Sequence, residues 1–460
     1  MYNYKEPNRK NRQGGIAMEE KILELLEKKD YSQLKKLLEE ENYSDISEVL
    51  NELTKEQAAI VFRLLNKDDS AEVFSRLEPD MQEDLINAMS DQELSGIMND
   101  LFLDDAADLV SEMPSDIVKR LLKNTDATNR KYINEILKYP EDSAGSLMNP
   151  EYISLKEDMT VRQAFDRIRE RGNEAETINT LYVLDPSRKL VGVVSVRDLL
   201  LAKMTDKISE VMEDNVITIP TTTDKEEVAK MFDKYDYQIM PVVDNEDRLV
   251  GIITIDDAMD VAIEEHEEDF EIMAGVIPSE DSYFKTSVFQ HAKNRIVWLL
   301  VLMLSAIFTG TILTRYEESF AVMPILVSFI PMIMDTGGNS GSQASTMIIR
   351  GLATDEIETK DVLKVWFKEI RIALIVGAVL AVVNGLRIWI QYKNPLLALV
   401  LALTIFFTIC VAKSLGCFLP ILAKALKLDP AIMASPMLTT IVDALSLTVY
   451  FTIATLILKL

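Results

Sequence analysis

Apolar positions along the chain follow three successive patterns. Up to about residue 138 they recur at helical spacing, as in Lys21-Ile-Leu-Glu-Leu-Leu-Glu and Leu34-Lys-Lys-Leu-Leu, which predicts amphipathic helices. From 67 onward, short helices are expected to start after Lys67-Asp68-Asp69, Glu78-Pro79-Asp80, Ser90-Asp91, Asp104-Asp105 and Pro114-Ser115. Each start offers an acidic or hydroxyl cap, sometimes with proline in the first turn. Alternate starts lie 24 residues apart (79 to 103, 90 to 114), the spacing of paired helices stacked into a small superhelix.

Between 145 and 262 the pattern shortens to β-branched runs such as Val191–Val196 and Val250–Thr254, which read as strands. The text also repeats. Leu147-Met148-Asn149, Leu181-Tyr-Val-Leu-Asp185 and Gly192-Val-Val-Ser195-Val-Arg-Asp198 return as Val211-Met212-Glu213, Met240-Pro-Val-Val-Asp244 and Gly251-Ile-Ile-Thr254-Ile-Asp-Asp257. The two methionines are 64 apart but the two glycines 59, so the first copy carries five extra residues, near Arg171-Gly-Asn-Glu-Ala-Glu176. Each copy reads strand, helix, strand, turn, strand, helix. Beyond 293 the apolar runs reach membrane length, at 296–314, 319–349, 372–390, 394–412 extending past Lys413, and 430–458.

Charge divides the chain at the same place. From His291 onward there are 14 Lys+Arg against 10 Asp+Glu, whereas residues 1–290 hold 34 against 64, a net of −30. The first part reads as soluble and acidic and the second as membrane. Such acidity argues against nucleic acid or an anionic lipid surface as partner, and favours cations. The first 17 residues are polar and read as a disordered tail with no signal peptide. Cys410 and Cys417 share one apolar run and match no metal or disulfide pattern. Lys and Arg gather in the 349–371 and 420–429 loops, which places the acidic part in the cytoplasm and the C-terminus outside.

Two of the apolar runs carry candidate chemistry. Residues 319–349 hold one charge, Asp335, ahead of Gly337-Gly338-Asn339-Ser-Gly341-Ser-Gln343. Glycines and amides there suit either a tightly packed helix or a polar notch in a conduction path. Residues 430–458 also hold one charge, Asp443, after Ser435 and Thr439. A carboxylate at membrane depth must be protonated, paired or in contact with a cation, and this run offers it no Lys or Arg. A third candidate is the stretch 256–269, with eight carboxylates; on a helix Asp257, Asp260, Glu264, Glu267 and Glu268 share one broad face. Like charges at that spacing repel, and a divalent cation would relieve them. Asp104, Asp105 and Asp108 form a dense group in the helical part, and His266 reads as a bystander. Ser195 with Asp198, and Thr254 with Asp257, have the spacing of helix caps.

The paired repeat resembles tandem CBS modules, of the cystathionine β-synthase type, in which the corresponding Ser/Thr and Asp contact an adenine nucleotide's ribose. That resemblance makes Ser195, Asp198, Thr254 and Asp257 candidates for ATP. The whole order of elements, with Gly-Gly-Asn-Ser-Gly-Ser-Gln-Ala at 337–344 and Asp429-Pro-Ala…Asp443, resembles the MgtE family of magnesium channels and transporters. It implies a multidomain membrane protein: an all-α N-terminal superhelix (18–138), an α/β CBS tandem (139–202 and 203–262), a connecting helix (263–292) and an all-α five-helix transmembrane domain (293–460). It further implies a homodimer in the bilayer with the pore between protomers. Asp443 would recognise the ion, with Gly338, Asn339, Asp335, Ser435 and Thr439 nearby. Regulatory Mg²⁺ would be held by Asp104, Asp105 and Asp108 on one side, and by Asp257, Asp260, Glu264, Glu267 and Glu268 on the other. The expected function is Mg²⁺ import shut by cytoplasmic Mg²⁺, not catalysis. The competing readings are a nucleotide-regulated carrier of another solute, a less selective divalent cation path admitting Co²⁺ or Mn²⁺, and a receptor that senses cations without transport.

Overall fold

The structure, a computed structural model, describes residues 9–279, 283, 286–317 and 322–459, with side chains from Met18 onward except those of Asp68 and Ser435. The chain forms two compact units, Met1–Ala262 and Ile263–Leu460.

The first unit opens with a helix at Arg9–Glu27, so helix replaces much of the tail expected up to residue 17. No proline follows Pro7 until Pro79, and the polar residues extend the helix that the buried side chains of Met18, Ile22 and Leu25 anchor. Nine short helices follow, through Ala127–Ile136. From Lys67–Ser75 onward they include Pro79–Ala88, Asp91–Asp100, Leu103–Glu112 and Ser115–Asn124. These are the starts read from the sequence, but of the caps expected there only the one at Ser90 forms a side-chain hydrogen bond. Ser90 and Glu93 form a reciprocal capping box, and Pro79 opens its helix at the first turn. One continuous core fills the stack, with Leu34, Leu50, Phe74, Leu85, Leu94, Met98 and Leu121 at its centre.

The repeats fold as two three-stranded sheets, ordered β1 (Ser154–Leu155), β2 (Thr180–Leu184), β3 (Leu190–Ser195) and β4 (Ile219–Pro220), β5 (Ile239–Val243), β6 (Leu249–Thr254). In each sheet the first pair is parallel and the second antiparallel, with a register shift at Val183/Leu184 or Val242/Val243. The five extra residues lie in the loop between the Val161–Arg171 helix and β2, as the repeat arithmetic placed them.

The boundary expected between the modules is crossed in both directions. Ala144 and Met148 pack in the core of the second sheet, with Val228, Phe232 and Met240. Ile208 belongs to the core of the first, with Leu181 and Val194, and Met212 packs against that core. A Cβ on Gly251 would lie 2.9 Å from Met148, and one on Gly192 would lie 2.7 Å from the Met212 sulfur. Each glycine is therefore the slot for the other copy's methionine, and a division at residue 202/203 cuts through both cores. The physical reason is that a three-stranded sheet covered on one face leaves the other open, and the neighbouring copy's entry segment closes it.

The connecting helix also differs from expectation. It is continuous with the last helix of the second module, running Ile255–Met273, and does not extend to 292. It stops at Ala274-Gly275. Gly275 adopts φ +72°, a conformation that side chains resist, and a Cβ there would lie 3.3 Å from Pro436 and 3.7 Å from Trp298.

Among its described residues the second unit holds five long helices, at Val288–Arg315, Ile330–Ala353, Val362–Tyr392, Pro395–Ala425 and Ser435–Leu458. Four of the five are long and apolar enough to cross a membrane, among the described residues. The exception, the glycine helix Ile330–Ala353, has 24 residues, about 36 Å of helix, but its centre is the polar motif. It packs between the Pro395–Ala425 helix and the final helix. A Cβ on Gly416 would lie 2.4 Å from the Gly341 carbonyl oxygen, and one on Gly337 would lie 2.7 Å from Ser446 Oγ. These approaches exist because there is no side chain between the backbones.

Candidate cation sites

The first candidate site begins with a helix that cannot cap itself. The Leu103–Glu112 helix has Phe102 at its N-cap, which offers no acceptor. Glu151, in the segment leading to β1, supplies one by accepting the Leu103 N–H at 3.0 Å. A carboxylate suits a helix N-terminus, where the backbone dipole is positive. Asn149 then joins the elements: its Nδ2 donates to Asp104 Oδ1 at 3.1 Å and to Glu176 Oε2 at 2.8 Å. Its own Oδ1 accepts the Glu151 N–H at 2.8 Å. Glu176 stands in the five-residue insertion, so the extra loop of the first copy has a place in this site.

Asp104 is buried, and burial followed by the charges of Asp105, Asp257 and Glu176 holds its carboxyl well above the usual range. Burial, then Asp257, pushes Asp105 up to about 6. Burial raises Glu151 to about 7, against the Leu103 hydrogen bond. Burial, then Asp257 and Asp105, raises Glu176 to about 8. Asp257 rises to about 6 through burial, although its hydrogen bonds from Thr254 oppose the shift. Asp260 is raised by burial and Asp256, with Arg76 opposing. Six carboxyls thus face one another across helical stack and repeats, all holding protons more tightly than an ordinary carboxyl does.

Sequence reasoning had Asp104, Asp105, Asp257 and Asp260 in this group, and the structure brings those four together. It missed Asn149, Glu151, Glu176 and Asp256; the clue to Glu176 was the unequal repeat spacing. Asp108 is exposed, as are Glu264, Glu267 and Glu268 farther along the connecting helix. No three His, Cys, Asp or Glu among the described residues converge into a ready coordination set. The donors are all oxygens, which suits a hard cation with its own waters better than zinc.

The second candidate site lies in the helical unit. Asp443 is the sole charge of the Ser435–Leu458 helix and is half-buried, and Asp335 on the glycine helix is near enough for the two carboxylates to feel each other's charge. Asn339 Nδ2 donates to Asp335 Oδ1 at 3.0 Å, one turn along. Gly338 is buried against Thr439, 3.1 Å from the methyl group to a Cβ position. The Thr439 hydroxyl donates to the Pro436 carbonyl at 3.0 Å. Asp335, Gly338, Asn339, Thr439 and Asp443 thus lie along one helix pair, while the Ser435 side chain lies outside the described residues. The end of the connecting helix reaches this pair at Pro436.

The nucleotide candidates divide. Ser195 Oγ accepts the Asp198 N–H at 3.0 Å and donates to its carboxylate, so the helix cap is formed, and Asp198 is exposed. At the second copy Thr254 instead donates its N–H and its hydroxyl to the Asp257 carboxylate, and Asp257 is drawn into the acidic group.

Three family models cover the chain in order: the MgtE intracellular N domain at 41–142, CBS domains at 144–204 and 208–264, and the MgtE divalent cation transporter at 330–453. Among curated proteins, the magnesium transporter MgtE of Bacillus subtilis is 34% identical over 371 residues, 81% of this chain and 82% of that protein. The chain belongs to the MgtE family. The MgtE of Thermus thermophilus is likewise 34% identical, over 78% of this chain and 80% of its own. Matches to inosine-5'-monophosphate dehydrogenases, such as that of Aquifex aeolicus at 33% identity, cover 28% of this chain. A solved cytosolic domain of the Mg²⁺ channel MgtE in complex with ATP superposes with TM-score 0.50 at 38% identity, covering 52% of this chain and 98% of its own. The soluble part of a magnesium transporter superposes with TM-score 0.51 at 26% identity, over 55% and 99%. The MgtE layout accounts for both units: a soluble helical and CBS assembly, and a helical membrane part.

Proposed function

We propose that this chain carries Mg²⁺ across the cell membrane into the cytoplasm, as a homodimer, and that cytoplasmic Mg²⁺ closes it. The observation that carries the reading is Asp443: a carboxylate inside an otherwise uncharged helix, beside a glycine helix whose polar edge presents Asp335 and Asn339. Mg²⁺ gives up its waters reluctantly and is usually held by one or two carboxylates while still hydrated. One Asp443 from each protomer supplies that number, binding firmly enough for entry and weakly enough for exit. The family membership and the curated magnesium transporters support the ion's identity.

The six raised carboxyls are the closing device. Two acidic faces brought together repel, and Mg²⁺ between them turns the repulsion into attraction. A ligand shifts such an equilibrium only by its preference for one state, so several weak sites acting together give the steep response. Asp104, Asp105, Asp257 and Asp260 are the proposed contacts, joined by Glu151 and Glu176. Asp108, Glu264, Glu267 and Glu268 are placed by charge as an outer shell. Gly275 against Pro436 is the joint through which the connecting helix acts on the Asp443 helix. The soluble unit is cytoplasmic and the C-terminus outside, by the distribution of Lys and Arg.

Mg²⁺ uptake into proteoliposomes, with cytoplasmic-side Mg²⁺ varied, tests the reading. Uptake that stops when Mg²⁺ is raised on that side is expected; a protein that reconstitutes well and passes none refutes it. ATP is proposed at the exposed Ser195–Asp198 turn, on the strength of the similar ATP-bound cytosolic domain. Titration calorimetry with ATP, and with Asp198→Ala, decides that point.

A further inference from the structure

One charged pair in the membrane unit has no part in either candidate site. Lys413, in the Pro395–Ala425 helix, and Glu369, in the Val362–Tyr392 helix, are both buried, with side-chain exposures of 6% and 10%. Lys413 Nζ stands 3.6 Å from Glu369 Oε2, an oxygen with no hydrogen-bond partner. The contact is ionic and longer than a hydrogen bond. A pair of this kind is a poor device for stability alone, because apolar residues of similar volume serve as well or better, whereas removal of one partner strands a buried charge.

Its location suggests another use. One turn before Glu369, the Trp366 Nε1–H donates to Ser414 Oγ at 3.0 Å, so the two helices are tied at two neighbouring points. On the Pro395–Ala425 helix, Lys413 lies between Ala412 and Gly416, the residues that meet the glycine motif. A Cβ on Gly416 would come 2.4 Å from the Gly341 oxygen, and one on Gly341 would come 3.3 Å from the Ala412 oxygen. That contact tolerates no slip. A shift of one residue turns a helix by about 100° and moves it about 1.5 Å, which would bring Leu415 or Cys417 against the Gly341 backbone. Asn339, two positions before Gly341 and exposed, lies on another face of the same helix, on the polar edge beside Asp443, so the Gly341 contact sets how that edge is presented.

We propose that Glu369 and Lys413 are positioning residues for the ion path: their attraction fixes the register of the Pro395–Ala425 helix, so that Ala412 and Gly416 stay opposite Gly341 and the Asp335–Asn339 edge stays aligned with Asp443. The inference rests on the reading of that edge as the ion path, and the readouts are chosen so that each idea can fail alone.

The test compares Glu369→Gln, Lys413→Met, the two together, and the exchanged pair Glu369→Lys with Lys413→Glu, in the full chain in proteoliposomes. Maximal Mg²⁺ uptake is expected to fall about tenfold to a hundredfold in each single variant, as small misplacements near a reacting centre do. The half-saturating Mg²⁺ is expected to stay within about twofold, because no group that touches the ion is altered. The exchanged pair is expected to recover most of the uptake. A second readout needs no transport. Cys417 is fully buried one turn beyond Lys413, and the two cysteines of the chain, Cys410 and Cys417, are both free. Mass-spectrometric maleimide labelling of Cys417 is expected to be slow in the natural chain, about tenfold faster in the single variants, and slow again in the exchanged pair.

The double neutral variant leaves no stranded charge, so it tests register without a buried-charge penalty even if the exchanged pair does not fold. Reduced uptake and faster Cys417 labelling in it support the proposal. Unchanged uptake and labelling in it, or in both single variants, overturn the proposal while leaving Asp443 in place. Absence of uptake by the natural chain refutes the ion path, and the labelling series then decides the register on its own.

Discussion

The two units meet the same difficulty, negative charge away from bulk water, in opposite ways. In the soluble unit, Asp104, Asp105, Glu151, Glu176, Asp257 and Asp260 crowd together, with Arg76 the cation placed among them to offset Asp105 and Asp260. Within the membrane-spanning helices Glu369 has its own lysine, whereas Asp335 and Asp443, on the glycine helix and the final helix, make no ion pair among the described residues. Mobile cations can always reach a surface bathed in water, so that unit can leave its repulsion to be settled from outside. A hydrocarbon environment supplies nothing, so charge there is either matched within the chain or reserved for an ion in transit. On the proposed reading, the difference separates a sensor from a path.

The sharpest way to break the contrast is to remove the unmatched membrane carboxylate. Asp443→Ala is expected to lower Mg²⁺ uptake more than about a hundredfold while the protein stays folded, since no partner charge is stranded. Asp443→Asn keeps the shape and should fail nearly as badly. Normal uptake by either variant would return Asp443 to the structural residues.

Next in size is the soluble side. Asn or Gln at Asp257, Asp260, Glu264, Glu267 and Glu268 should raise the cytoplasmic Mg²⁺ needed for closure about tenfold, read as inhibition of uptake and as loss of Mg²⁺ protection from proteolysis at 262–290. Glu267 and Glu268, exposed farther along the connecting helix and altered alone, would show how far the outer shell contributes. Unchanged inhibition after all five substitutions would confine the sensor to Asp104, Asp105, Glu151 and Glu176.

A smaller effect should appear with pH. The ordinary carboxyl value is near 4, and here Asp105 and Asp257 stand at about 6, Glu151 at about 7 and Glu176 at about 8. A raised value means that the assembled form holds protons more tightly than the separated form. The stabilisation is therefore complete below about pH 4 and is lost as pH rises through about 6 to 8. Without Mg²⁺, amide exchange at Leu103–Asp105 should speed severalfold between pH 5.5 and 8.5, after correction for the intrinsic rate. Millimolar Mg²⁺ should flatten that dependence. Equal protection at both ends would mean that cations in solution are not what the soluble unit lacks.

The smallest effect is expected at the nucleotide turn. Ser195→Ala removes a helix cap worth about 1 kcal/mol, visible in thermal unfolding of the soluble unit. Mg²⁺ uptake without ATP should be unaffected.

Legibility in the sequence followed the same contrast. Asp335, Asp443 and the glycine motif stood out because a polar residue in an apolar run is conspicuous, and Asp104 with Asp105 because adjacent acids at a helix start are. Glu151 and Glu176 did not, since each is an ordinary loop acid until the helical stack closes over it. The extra five residues before β2 were visible, but not that Glu176 would turn toward Asn149. Glu369 and Lys413 lay hidden for a different reason: one preceded the expected third span, and the other interrupted the fourth. The helices there proved longer, Val362–Tyr392 and Pro395–Ala425, because each extends beyond its apolar stretch. The crossed packing of Met148 and Met212 could not be read, because repeats identify equivalent residues and not which copy they serve.

That crossing bears on how such a chain could be shortened or have arisen. Because Met148 fills the Gly251 slot and Met212 fills the Gly192 slot, neither copy is a complete folding unit. Deleting one would leave the survivor with an unfilled hollow and an exposed methionine. A single ancestral copy would have met the same need by pairing with its twin, and fusing the two genes would have made that partnership permanent. A shortened variant that keeps either copy alone should thus be recovered as a dimer of halves or not at all.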